Sequence, residues 1–133
     1  MSDEQQKTKD EMIAKANQAV KKVAHEFVGG LNQRVEDLEK AILTNDRNAA
    51  VEIAYNLETE AATFGWPRVT RICKWLRKIF SGDYDQKPDA EDVLKTLNAL
   101  KLMVADPGNP DEVRDEELFR KIYPAMQKVV TDI

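Results

Sequence analysis

An all-α, antiparallel helical bundle is the fold this 133-residue chain predicts, and three observations predict it. Apolar residues recur at three- and four-residue steps almost from end to end, which is the helical period, and no segment sustains two-residue alternation. Gly and Pro number only five each, too few for a loop-rich or all-β chain. Apolar residues make up 42% and charged residues 33%, the balance of a folded domain with one solvated face per helix. The length suits a single domain over 1–133, with 1–10 frayed: enough for one core, too little for two.

The first run carries Met12, Ala16, Val20, Val23, Phe27, Leu31, Val35, Leu38 and Ile42 on one stripe. Gly29-Gly30 should weaken it, since each Gly costs a helix about 1 kcal/mol relative to Ala. Thr44-Asn45-Asp46 is a turn and N-cap cluster, so the run stops there. A second helix follows over about Arg47 to Thr63, with Ala50, Ala54, Leu57, Ala61 and Phe64 as its core stripe. Gly65 ends it as a C′ glycine, and Trp66-Pro67 opens the third helix with Pro where a missing N–H does no harm. The third stripe is Val69, Ile72, Cys73, Leu76 and Phe80, closed by Ser81-Gly82-Asp83.

Tyr84 to Pro88 reads as a short polar linker. Asp89 caps a fourth helix, with Glu91 and Asp92 favourable in its first turn and Val93, Leu94, Leu97, Leu100 and Met103 on its apolar face. Asp106-Pro107-Gly108-Asn109-Pro110 cannot continue it. A last helix, about Glu116 to Val130, carries Leu118, Phe119, Ile122, Met126 and Val129, with Pro124 as a kink. The prediction is therefore a four-helix core with additional terminal helices.

Several chemistries are missing their residues. One Cys precludes a disulfide framework or a thiolate metal site within the chain, and one His, His25, precludes a His-pair metal site, so no metal and no cofactor are expected. Neither a phosphate-binding glycine loop nor a serine nucleophile elbow is present. No apolar run reaches eighteen residues and the first ten are polar and mixed in charge, so the expectation is a cytoplasmic chain without membrane partners. A net charge of −4 argues against nucleic acid as a partner.

The stretch from Ala54 to Gly65 is the informative one. Ala54-Tyr55-Asn56-Leu57-Glu58-Thr59-Glu60-Ala61-Ala62-Thr63-Phe64-Gly65 resembles the signature of histidine-containing phosphotransfer domains, Ala-His-x-Leu-Lys-Gly-(Ser/Gly)-Ala followed after three residues by Gly. Ala54, Leu57, Ala61 and Gly65 fall in register, and Thr63-Phe64-Gly65 is similar to the end of the motif in chemotaxis kinases. Val69, Ile72, Cys73 and Leu76 fill the apolar places of the family's next helix; upstream, Phe27, Leu31, Leu38, Ala41 and Ile42 with Asn45-Asp46 look like its preceding helix and turn. The resemblance spans roughly Phe27 to Ser81. It implies a bundle fold and, as partners, a response-regulator receiver domain or a histidine kinase.

Three departures fall on one face. Tyr55 stands where the family has its phosphoacceptor His, Glu58 where it has Lys, and Thr59 where it has Gly. A phenol ionises near pH 10 and is a poor nucleophile at neutral pH beside imidazole. A carboxylate repels the phosphoryl group that a lysine would steady. The resemblance with these departures thus implies a degenerate, non-enzymatic module that docks its partner without relaying phosphate; a monomer is the expectation, with the oligomeric state left open. The docking strip is expected to be Val51, Tyr55, Glu58, Thr59 and Ala62 on the second helix, with Tyr55, Glu58 and Thr59 at surface positions and Glu58 as a rim charge beside the patch. Arg68, Arg71, Lys74, Arg77 and Lys78 give the third helix a basic side, from which Lys74 and Lys78 are expected at the level of Tyr55. Trp66 and Trp75 are the candidates for stacking on a nucleic acid, should the basic side serve that purpose.

Two other readings stand beside this one. Ala24-His25-Glu26-Phe27-Val28-Gly29-Gly30 also echoes the motif, with Lys21 and Lys22 one turn away, so His25 is an alternative phosphoacceptor in an active phosphotransfer protein. Only about twenty residues precede it, and Val35 stands where the motif needs its later Gly. The third reading is an adaptor bundle with an unrelated partner.

Overall fold

The structure, a computed structural model, describes residues 10–13, 15, 30–105 and 111–133. All regular secondary structure among the described residues is helical, and the helices pack as a bundle. Helix α1 is helical over 30–43; α2 is Arg47–Thr63, α3 Pro67–Phe80, α4 Ala90–Val104 and α5 Glu112–Val129. Helix α3 is the hub, in contact with α2, α4 and α5. Residues 10–13 and 15 are also helical; Met12, expected on the first stripe, is exposed instead. Ala16, Val20, Val23, Phe27 and the Gly29 half of the expected weak point lie outside the described residues, as does 106–110.

Three helix ends share one device. At the end of α2 the Trp66 N–H donates to the Ala61 carbonyl at 2.8 Å and the Gly65 N–H to Ala62 at 3.2 Å, with Gly65 left-handed at φ 71°. That is a Schellman cap, which satisfies carbonyls the helix end would otherwise orphan. Gly82 closes α3 in the same way, and Asn45, at φ 58°, closes α1. Asn is one of the few side-chain-bearing residues that tolerates this region. Three helix starts are capped by aspartates: Asp46, Asp89 and Asp111 accept bonds from the main-chain N–H groups of Ala49, Glu91 and Arg114. Pro67 sits at the first turn of α3.

The caps explain one departure from the expected core. Ala50, Ala54, Leu57 and Ala61 are fully buried, but Phe64 is 40% exposed. The helix has already ended at Thr63, so Phe64 leaves the stripe and the buried aromatic of this corner is Trp66. On α3, Val69, Ile72, Cys73 and Leu76 are buried as expected; Phe80 is only half-buried, and Trp75 and Ile79 complete the core. On α4, Leu94 is 46% exposed, while Thr96, Ala99 and Val104 are buried. The buried face of α4 is therefore broader than its large apolar residues suggest and rotated away from Leu94.

Helix α5 begins four residues before the expected Glu116 and continues through Pro124. The early start brings Asp115 into its first turn, where the carboxylate is buried against the α2–α3 corner. The two tryptophans hold α5 to α3: Trp66 Nε1 donates to Asp115 at 2.7 Å and Trp75 Nε1 to the Met126 carbonyl at 3.1 Å. Both side chains are buried, so neither is free to stack on a nucleic acid base.

The Tyr84–Pro88 segment is more than a linker. The Asp85 and Gln86 N–H groups donate to the Val129 carbonyl, and the Asp85 carboxylate accepts from the Thr131 N–H at 2.9 Å and its hydroxyl at 2.7 Å. These Thr131 bonds hold the Asp85 carboxyl below its ordinary pKa, with a smaller contribution from Lys78. A depressed folded-state pKa means that the clasp is fully formed above the ordinary Asp range and is lost as pH falls through the lowered value. We expect the Thr131 amide resonance to titrate with an acid midpoint below that of an unperturbed Asp, and the titration to vanish in Asp85→Asn. A midpoint at the unperturbed value would show that the clasp does not form.

Candidate functional site

The α2 side chains that the sequence singles out do share one face. Tyr55 is 56% exposed near the middle of α2, while Ala54 and Leu57 on either side of it point into the core. Val51, one turn before, is half-buried; Thr59 and Ala62 are exposed. The Thr59 hydroxyl donates back to the Tyr55 carbonyl at 3.0 Å, so its polar group is turned along the helix and its methyl remains on the surface.

Glu58 is not the free rim charge expected of it. Its carboxylate accepts two bonds from Arg77 of α3, at 2.7 Å from Nε and 3.4 Å from an Nη. The pair is largely covered, with side-chain exposures of 18% for Glu58 and 28% for Arg77. The hydrogen bond to Glu58 holds the Arg77 guanidinium protonated even more firmly than usual, against an opposing burial effect. The same guanidinium lies over the Tyr55 ring, 5.9 Å from its centroid, at the outer limit of a cation–π contact. Tyr55, Glu58 and Arg77 thus form one connected group bridging α2 and α3.

The basic side of α3 is mostly engaged within the chain. Arg68 pairs with Glu116 at 3.0 Å, Arg71 stacks on Phe119 and Tyr123, and Arg77 holds Glu58. Lys78 is turned away from the strip, with its ammonium 3.6 Å from Asp132 and 3.9 Å from Asp83. Lys74 is half-buried and has no ion pair among the described residues. The cation at Tyr55 is therefore Arg77, where Lys74 and Lys78 were expected. For Lys78 helical phase explains this, because it lies about 100° round the helix from Arg77. Counting residues either side of Gly65 sets the level along the hairpin but not the side.

The exposed groups of the Tyr55 face are a phenol, a hydroxyl tied to the backbone and small apolar side chains. The nearest thiol, Cys73, is fully buried, and burial, reinforced by the Glu58 carboxylate, pushes its pKa far up, which makes it inert. His25, with Lys21, Lys22 and Gly29 beside it, lies outside the described residues. Among the described residues no group of three or more His, Cys, Asp or Glu side chains is placed to hold a metal ion, and no helix is long and apolar enough to cross a membrane. No protein-family model matches the chain, and neither a curated protein nor a solved structure matches it significantly.

Proposed function

We propose that this chain is a phosphotransfer-like docking module that holds a receiver domain or histidine kinase of a two-component phosphorelay without relaying phosphate. The observation that carries the reading is Tyr55. It is an exposed aromatic at the phosphoacceptor position of the resembled motif, on the outer face of a helix whose Ala54, Leu57 and Ala61 are buried in the motif's register. Thr59 and Ala62 flank it on the open face, and Val51 borders it. A large, rigid side chain beside small neighbours is the usual form of an interface anchor.

The ion pair beside Tyr55 supports docking over transfer. Glu58 occupies the lysine position of the motif, and its charge is spent on Arg77. A partner therefore meets a phenol ring backed by a neutralised pair, with Lys74 as the cation left over on α3. Receiver domains in the resembled systems present an acidic mouth, which Lys74 would help to steer.

Calorimetric titration of a receiver domain from the same genome tests this. Tyr55→Ala should weaken binding by about 2 kcal/mol or more, as central aromatics tend to. Lys74→Glu should mainly slow association and flatten its salt dependence. If Tyr55→Ala binds like the parent while substitutions on α5 abolish binding, the functional face lies elsewhere. Acid-labile label acquired from a phosphorylated receiver, and lost in His25→Gln, would overturn the non-relaying reading in favour of an active phosphotransfer protein.

A further inference from the structure

A second face of α3 carries a different chemistry, on the α5 side and away from Tyr55. Between α3 and α5 lies an open cleft of about 440 Å³, within the size range of small-ligand sites. Arg68, Arg71 and Arg120 line it, against a single carboxylate, Glu116. Glu116 is shared: one oxygen accepts from Arg68 at 3.0 Å and the other from Arg120 at 3.1 Å. Arg71 has no Asp or Glu side chain as a partner among the described residues. Its guanidinium lies 4.8 Å from the Phe119 ring centroid and 5.0 Å from that of Tyr123, and one nitrogen donates to the Ile133 main-chain oxygen at 2.7 Å.

This cleft is rich in donors and poor in acceptors. Each guanidinium carries five N–H groups, and each of these three gives a nitrogen to only one protein acceptor among the described residues. The charged side chains of the lining are three guanidinium groups against one carboxylate, on a chain whose net charge is −4. Stacking on two rings fixes Arg71 in advance, so little of its freedom remains to be lost on binding. A planar guanidinium fork matches the oxygens of a phosphoryl group, and three such oxygens can engage more than one guanidinium at once.

We infer that the α3–α5 cleft binds the phosphoryl group of a small phosphorylated molecule, through Arg71 with Arg68 and Arg120 at its sides. The inference does not depend on the docking role of α2. Glu116 acts as a placeholder, holding two of the guanidinium groups until the ligand's oxygens compete for them. The phosphoryl group could arrive as free phosphate or as an ester. An ester would also lay its body on the apolar wall of Pro67 and Pro124.

The test is an NMR titration of the full chain with inorganic phosphate, glycerol 3-phosphate and adenosine monophosphate, each at constant ionic strength set with chloride. Saturable shifts are expected at the Nε–H signals of Arg68, Arg71 and Arg120. Esters binding more tightly than phosphate would identify an ester site, and equal binding a free-phosphate site. Arg120→Gln, at an exposed position, should weaken binding about fivefold, and Arg71→Gln about tenfold or more. Glu116→Gln should tighten it, which a merely structural role for Glu116 would not produce. Lys74→Gln, outside the cleft lining, should leave it unchanged. If Arg71→Gln fails to fold, the opposite responses of Arg120→Gln and Glu116→Gln decide the matter. Shifts that fail to saturate in the millimolar range, or that ignore both variants, overturn the inference.

Discussion

Replacing Asp115 with Ala should cost this protein about 3–5 kcal/mol, the range for breaking a buried ionic contact by removing one partner. Asp115 is 1% exposed, and the fold tolerates a carboxyl group there because both oxygens are occupied. Oδ2 accepts from Trp66 Nε1 at 2.7 Å; Oδ1 accepts from Arg114 Nε at 3.3 Å and Nη2 at 3.2 Å. Arg114 in turn donates to the Met103 carbonyl of α4 at 2.8 Å. One carboxylate therefore joins the α2–α3 corner, the start of α5 and the end of α4. Alanine would strand the indole N–H in the core and take the Asp115 carboxylate away from the half-buried guanidinium of Arg114. Asp115→Asn, which keeps an acceptor for the indole, should cost roughly half as much. Urea melts followed by tryptophan fluorescence measure both. A double-mutant cycle with Trp66→Phe should return a coupling of about 1 kcal/mol or more. An Asp115→Ala variant within about 1 kcal/mol of the parent would mean that the corner is wet or loosely packed.

Nothing in the local sequence marks Asp115, because its burial is decided by partners far along the chain. The stripe Ala50, Ala54, Leu57 and Ala61 was legible because burial on one helix follows its own 3.6-residue period, and every one of those residues is fully buried. Gly65 and Pro67 were legible because caps and first turns impose backbone requirements that few residues meet. Tyr55 was legible as an exposed residue for the same local reason, being one position off the stripe. Phe64 and Leu94 were not, since an apolar side chain at a helix end, or on a helix with a wide buried face, is placed by its neighbours in space. The Glu58–Arg77 pair, the arginine cleft and the Trp66–Asp115 bond all join different helices, and their partners depend on the rotation of one helix against another. The sequence does hold one signal for the first of these. Residues 77 and 78 lie about 100° apart round α3, so helical phase alone separates Arg77 from Lys78.

That same pair sets the second large effect. Glu58→Lys, a change that restores the lysine of the resembled motif, should destabilise the protein by about 2–3 kcal/mol, between the values for surface and buried ion pairs. Tyr55, Glu58 and Thr59 were all expected at surface positions, where such a change costs little. Glu58 instead lies under Arg77 with 18% of its side chain exposed and accepts two bonds from it. A lysine there loses both bonds and places a second cation against Arg77. Glu58→Gln, which keeps one acceptor and adds no charge, should cost about 1 kcal/mol. The reversed double variant Glu58→Lys with Arg77→Glu should recover most of the loss, because the charges again oppose. Chemical denaturation of the three variants at low and high salt is the measurement. Salt should soften the Glu58→Lys penalty only in part, since the pair is mostly covered. A Glu58→Lys variant as stable as the parent would return Glu58 to the role of a solvated rim charge. A loss on the predicted scale means that α2 and α3 are held together by the charge at the motif's lysine position. Placing the His, Lys and Gly of the resembled motif on α2 would then not be enough to build that motif here, because Arg77 on α3 would also have to change.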